Sequence, residues 1–285
     1  MERIRNRPEI FSAIVCVVIG FLSGCHPVGE HHPEWKKYFD EYGVAGCMDI
    51  YDLQKKEFVD YNPDRCHSRY TPASTFKIFN SLMALQTAVV PDEKYVLPWD
   101  GTVHVRESWN HDQDMAEAIR NSTVWYYQEI ARRVGEQKMQ QYLEVAHYGN
   151  AVIGGAIDSF WLSRGLRISC DEQIEFLKNF YTYQVPFSKR NVDLVKKIIV
   201  LDSTDQYKLS GKTGWGMHQQ PEDSVLKNIG WFVGYVENGS DVYFFALNIE
   251  SPEPAPGNFA EARIEIAKNI LRDSGILLAK ESADY

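Results

Sequence analysis

The sequence predicts an α/β fold of the α+β type: an antiparallel sheet flanked by terminal helices, plus a mostly helical lobe from the middle of the chain. Three observations predict it. β-rich runs separated by polar turns lie towards both ends, and a long helical stretch fills the middle. No Pro/Gly/Ser-rich linker interrupts residues 35–285, which therefore read as a single two-lobed domain. With 285 residues, 44% of them hydrophobic, the chain is long enough to bury one sizeable core. The net charge of −9 provides no basic footprint, so nucleic acid is not an expected partner.

Taken in order, residues 1–24 have the makeup of an export signal. Arg3, Arg5 and Arg7 precede an apolar run from Ile10 to Leu22, too short for a comfortable membrane span. Residues 25–34, with Pro27, Gly29, Pro33 and three histidines, read as a tether; His31-His32 without further ligands is expected to be solvated. A short helix follows Trp35. Cys47–Leu53 and Phe58–Tyr61 form a hairpin turning near Gln54-Lys55-Lys56, and Pro72-Ala73-Ser74 is a turn. Phe76–Gln86 has helical period and makes a buried helix beginning at the serine. Met115–Ala146 is mostly helical, broken at Asn121-Ser122 and Gly135, and Tyr148–Arg167 is a loop. Asp171–Tyr183 and Asn191–Leu201 are helical; Lys208–Thr213, Asn228–Val236 and Val242–Ile249 are strands; Asn258–Ser274 is the closing amphipathic helix.

Five cysteines are present, two of them (Cys16 and Cys25) at the export segment. Cys47 and Cys66 flank the hairpin, where register alone sets Cys47 opposite Asn62 or Pro63, so a bridge between them needs a small bend and stays open. Cys170, after Ser169 at a helix start, reads as a buried thiol rather than a nucleophile.

The chemistry is carried by an ordered set of short motifs: Ser74-Thr75-Phe76-Lys77, Ser122-Thr123-Val124, Tyr148-Gly149-Asn150, Trp161 and Lys212-Thr213-Gly214. Each is individually common; about one Ser-x-x-Lys is expected by chance in a chain of this length, and Ser224-Val225-Leu226-Lys227 also fits. Their joint occurrence in this order is not. A serine that attacks an amide carbonyl needs a base, and a lysine three residues on lies on the same helical face. Phe76, Ile78 and Phe79 surround Lys77, and apolar surroundings lower a lysine's pKa towards a neutral amine.

This set resembles the class D (OXA-type) serine β-lactamases of the penicillin-recognising superfamily, over essentially the whole chain after the export segment. The hydrophobic third residue, Val124, is the feature that points to this branch. The resemblance implies a β-lactamase/transpeptidase-like fold and hydrolysis of β-lactam antibiotics through an acyl-enzyme on Ser74, giving antibiotic resistance. It implies that Lys77 is carboxylated by carbon dioxide or bicarbonate to N6-carboxylysine, the general base for acylation and deacylation, with no other cofactor and no metal. Phe76, Val124, Trp161 and Leu162 would form the carbamate pocket, with the Trp161 indole donating to the carbamate. Ser122 and Lys212 would pass a proton to the leaving nitrogen, and the backbone N–H groups of Ser74 and Trp215 would form the oxyanion hole. Thr213, Gly214, Arg263, Tyr148 and Asn150 would bind substrate or shape its pocket, Arg263 through the substrate carboxylate. Ser163 departs from the family, which often has an acidic residue there.

By the same resemblance, Leu22-Ser23-Gly24-Cys25 is similar to a bacterial lipobox, with Cys25 lipidated and the protein held by its N-terminal lipid at the periplasmic side of a Gram-negative outer membrane. The plainer reading is an ordinary signal peptide with a chance cysteine. A monomer or homodimer is expected. Two other functions compete: a β-lactam sensor domain that stays acylated, usually found after several membrane spans and a protease module, and a penicillin-binding peptidase, which commonly carries Asn where Val124 stands. The eight histidines show no ligand cluster of the kind a metallo-β-lactamase needs.

Overall fold

A computed structural model describes residues 29–162, 165–218 and 226–278. The expected export segment with Cys25, and Ser163, lie outside these residues. No helix of the described residues is long and apolar enough to cross a membrane.

The chain enters through a short strand β1 (Glu30–His31) and helix α1 (Lys36–Glu41), then forms the hairpin β2 (Ala45–Asp52) and β3 (Glu57–Tyr61). Asp52 pairs with Glu57 and Met48 with Tyr61, so the next step of the register sets Cys47 against Asn62. β1 runs parallel to β3 and His31 Nδ1 bonds Asp60 at 2.9 Å, so the last residues of the expected tether belong to the folded unit. Helix α2 (Pro63–His67) leads to a 3-10 turn, Ala73–Phe76, and then to α3 (Lys77–Gln86). The middle of the chain supplies α4 (Met115–Asn121), α5 (Val124–Val134) and α6 (Glu136–Val145), with breaks at Ser122 and Gly135, both at positive φ. Helices α7 (Cys170–Tyr181) and α8 (Lys189–Ile198) follow; Ser169 caps α7 in a reciprocal capping box with Glu172.

Strand β4 (Val200–Ser203) corrects the expectation that the preceding helix runs on to Leu201. The apolar period of α8 continues through Ile199, but the β-branched Val200 pairs with Ser210 instead. Three long strands complete the sheet, β5 (Tyr207–His218), β6 (Lys227–Asn238) and β7 (Asp241–Pro252), before the last helix, α9 (Phe259–Asp273). The order is β1-β3-β2-β7-β6-β5-β4, antiparallel except for the β1–β3 pair. Terminal strands thus meet at the centre, where β2 pairs with β7.

The sheet separates two apolar cores. One joins Phe39 of α1 and Ile266, Ile270 and Leu271 of α9 to Ile50, Val236, Phe245 and Leu247 of the sheet. The other packs α3, α5 and α7, through Phe79, Leu82, Ile130, Ile174 and Leu177, against Trp231, Val233 and Phe244. The turn and helix that carry Ser74 and Lys77 belong to this second side, as does Trp161. Cys47, Cys66 and Cys170 are free, buried thiols, so the bridge left open between Cys47 and Cys66 is not formed. Instead the start of α7 brings Cys170 to Cys47, Sγ to Sγ 3.5 Å.

Candidate active site

The turn that carries Ser74 is pinned from several directions. Ala73 N–H donates to the Trp161 carbonyl at 3.0 Å, Trp231 Nε1 to the Thr71 carbonyl at 2.8 Å, and Thr75 Oγ1 to the Pro72 carbonyl at 2.8 Å. Ala73 itself has φ +50°, a conformation a non-glycine residue holds only when its surroundings enforce it. Strand β5 runs past this turn so closely that a Cβ on Gly214 would stand 3.0 Å from the Pro72 carbonyl oxygen. Glycine is therefore what the contact requires.

Ser74 is 8% exposed, and Lys77, fully buried, places Nζ 2.8 Å from Ser74 Oγ. Among the described residues Lys77 makes no ion pair; beyond Ser74 its ammonium end lies over the Tyr127 ring, 5.4 Å from the centroid. Burial, then the charges of Lys212 and Arg106, hold Lys77 well below the usual lysine range. Phe76 stacks on Trp161 at 5.5 Å and meets Phe160 and Tyr148 edge-on. Trp161 is fully buried, and its Nε1 has no hydrogen-bond partner. An indole N–H left alone in such a place is costly, and an acceptor in this pocket would relieve it.

The opposite wall is β5. Lys212 Nζ donates to the Thr213 carbonyl at 3.0 Å, and burial, Arg263 and Arg106 bring its pKa down to about 7. Arg263 on α9 donates to the Gly214 carbonyl at 2.6 Å; burial and Arg106 lower it to about 10. Trp215, 38% exposed, forms a lip, its Nε1 bonded to Asn228 at 3.0 Å. Ser122 follows α4 at φ +56°, and a cleft is lined by Ile119 and Arg120 of α4 together with Lys212 and Thr213 of β5. Val124 opens α5 and is partly buried, as is Leu162 after Trp161.

Of the two roles open to Tyr148 and Asn150, binding substrate or shaping its pocket, their surroundings fit the second. Tyr148 is buried under Phe76 and Phe79, out of reach of a bound molecule. Asn150 staples its loop, accepting from Arg167 N–H at 2.9 Å and donating to the Gly165 carbonyl at 3.1 Å. Gly149 (φ +56°) lets Arg167 approach; a Cβ there would lie 2.0 Å from the Arg167 carbonyl oxygen. Both residues shape the site from behind. Sequence reasoning missed Arg106, whose charge acts on Lys77, Lys212 and Arg263 alike, and Gln173, which donates to Thr75 Oγ1 at 2.8 Å. Arg106 lies in the loop before Trp109 with no motif to mark it.

A helical lobe and a sheet that bring a serine, a lysine one turn on and a Lys-Thr-Gly strand against one another define a penicillin-recognising protein, and a model of the penicillin binding protein transpeptidase domain matches residues 40–273. Within that class the chain belongs to the class D β-lactamase family. It is 38% identical over 247 residues to the β-lactamase OXA-5 of Pseudomonas aeruginosa, covering 86% of this chain and 89% of that protein. It superimposes on the crystal structure of the class D β-lactamase YbXI from Nostoc with a TM-score of 0.80 at 41% identity, covering 86% of this chain and all of the other. It is also 36% identical to the regulatory protein BlaR1 of Bacillus licheniformis, over 86% of this chain but only 39% of that longer protein.

Proposed function

We propose that this protein hydrolyses β-lactam antibiotics through an acyl-enzyme on Ser74, with Lys77 carboxylated by carbon dioxide. The observation that carries the lysine's part is the pairing of a buried amine, bonded to Ser74 Oγ at 2.8 Å and in no ion pair among the described residues, with a buried Trp161 Nε1 that has no acceptor. A lysine held below its usual pKa offers the neutral nitrogen that carbon dioxide requires; the N–C bond forms as the nitrogen loses a proton. When formed, the carbamate supplies an anionic base that serves both proton transfers, and Lys77 and Trp161 are the residues to hold it.

The remaining roles follow from position. Ser74 Oγ attacks the lactam carbonyl, whose oxygen would lie at the backbone N–H groups of Ser74 and Trp215, each such donor worth about 3 kcal/mol or more in the transition state. Ring opening transfers a proton to the departing nitrogen, by way of Ser122 and Lys212. Thr213 and Arg263 fit the substrate carboxylate, a fork of N–H donors matching two oxygens. Export and attachment through a lipid on Cys25 belong to the same reading, supported by the charge and apolar pattern of residues 1–25.

The second reading is a sensor that stays acylated, favoured by the likeness to BlaR1. Turnover of a chromogenic cephalosporin separates the two. Many turnovers per Ser74, raised by bicarbonate, support hydrolysis; one stoichiometric burst with mass retained on Ser74 makes the chain a receptor.

A further inference from the structure

Behind the reactive serine, three cysteines from distant parts of the sequence converge: Cys47 on β2, Cys66 on α2 and Cys170, the first residue of α7. Their Sγ atoms all lie within 4.8 Å of one another, and each residue is at most 1% exposed. A single buried thiol packs like a small apolar side chain and asks for no further account. Three sulfurs around one point are different. Sulfurs bonded at about 2.3 Å to one ion, in a plane around it, stand about 4 Å apart. That separation falls between the 3.5 Å of the Cys47–Cys170 pair and the 4.8 Å limit of the whole group.

Two neighbouring buried groups also have polar atoms without partners, Asp49 Oδ2 and Arg65 Nε. Asp49 is two residues beyond Cys47, on the same face of β2. Arg65 adjoins Cys66 and is fixed by Glu250 at 2.9 Å and Asn248 at 2.6 Å. Thiolates in a dry interior need a counter-charge; the ion itself supplies most of it, and the Arg65 guanidinium, shared with Glu250, offsets part of the rest.

We infer that Cys47, Cys66 and Cys170 form a binding site for a thiophilic metal ion, Cu(I) held by three thiolate sulfurs. Soft sulfur ligands select this ion, whereas a structural zinc site takes four protein ligands. Among the described residues no further His, Cys, Asp or Glu completes the group. Loading needs no oxidant: each S–H that ligates releases its proton as a metal–sulfur bond forms. The ion would clip β2 to α2 and α7. Gln173 on α7 donates to Thr75 beside the nucleophile, so the clip braces the scaffold of the reactive turn without touching substrate.

The test uses the full chain with Cys16→Ser and Cys25→Ser, so that the only thiols are these three. The reduced protein is titrated without oxygen against a chromophoric Cu(I) chelator, and separately with Zn(II). The expected result is one Cu(I) per chain, three sulfur neighbours by X-ray absorption, a higher Tm with Cu(I), and affinity at least tenfold weaker in Cys66→Ser. The absorption and Tm measurements leave all three ligands intact, so a Cys66→Ser variant that fails to fold does not remove the test. Loss of all Cu(I) to the chelator, only two sulfur neighbours, or tight Zn(II) binding without Cu(I) binding would overturn the inference. So would conversion of Cys47 and Cys170 to a disulfide by oxidised glutathione in a protein that holds no Cu(I). None of these outcomes bears on β-lactam turnover, which is measured independently.

Discussion

On the side of the sheet covered by α1 and α9, Phe39, Leu247, Ile266 and Ile270 belong to an apolar core whose burial favours folding. On the other side the same sheet borders Lys77 and Lys212, both buried, an indole N–H without an acceptor, and Ala73 at positive φ. Each of these features opposes folding: a buried amine lowers its own pKa because the charged form loses water, and a strained residue costs about 1–3 kcal/mol. Stability and reactivity are thus largely divided between the two sides, although α9 lends Arg263 to the site. The quiet side holds the sheet in place so that the other can keep a serine and an amine of lowered pKa close to Lys212 and Arg263.

Four experiments break or sharpen this division, in order of their effect on turnover. Ser74→Ala should abolish covalent labelling and reduce kcat/KM for a cephalosporin by at least about a thousandfold, as loss of a nucleophile does, with Tm unchanged or higher. Turnover that survives would remove the serine route. Trp161→Phe should lower activity roughly ten- to a hundredfold, on the scale set by losing one hydrogen-bond donor at a reacting group, and added bicarbonate should restore part of it. Indifference to bicarbonate would detach Trp161 from Lys77.

The pH profile is the third. Lys212, lowered to about 7, loses its positive charge as pH rises through that value, so kcat/KM for an anionic β-lactam should fall on the alkaline side. Lys77 is protonated as pH falls through its own depressed value, which sets the acid limb; bicarbonate should move only that limb. Stability runs the other way. The unfolded chain binds more protons than the folded one between about 7 and the ordinary lysine value, so burial of Lys212 makes the protein gain stability with pH across that window. Guanidinium titrations at several pH values give the sign directly, and Lys212→Met should flatten the slope. Fourth, Leu247→Ala on the quiet side should cost about 2–5 kcal/mol of stability and leave kcat/KM unchanged at a permissive temperature. A large loss of turnover there would mean that the two sides are coupled.

Much of this division was legible in the sequence because it rests on local signals. The breaks near Ser122 and at Gly135, the capped start of α7 and the three long C-terminal strands follow from turn residues and periodicity. What stayed hidden depends on contacts between distant segments. Val200 and Leu201 continue the apolar run of α8, and only pairing with β5 makes Val200–Ser203 a strand. Tyr148 and Asn150 carry a motif, yet the fold turns one into the core and the other onto its own loop. Cys170 meets Cys47 across 123 residues, a pairing that no spacing rule could supply.

Lys77, held well below its usual pKa in a dry pocket, is the group proposed to be modified by carbon dioxide. The most direct measurement is 13C NMR of the protein in 13C-bicarbonate, in parallel with Lys77→Met. One slowly exchanging carbamate resonance in the parent protein, absent from Lys77→Met and lost as the pH is lowered together with turnover, is the predicted result. No such resonance at saturating bicarbonate, with turnover intact, would contradict it.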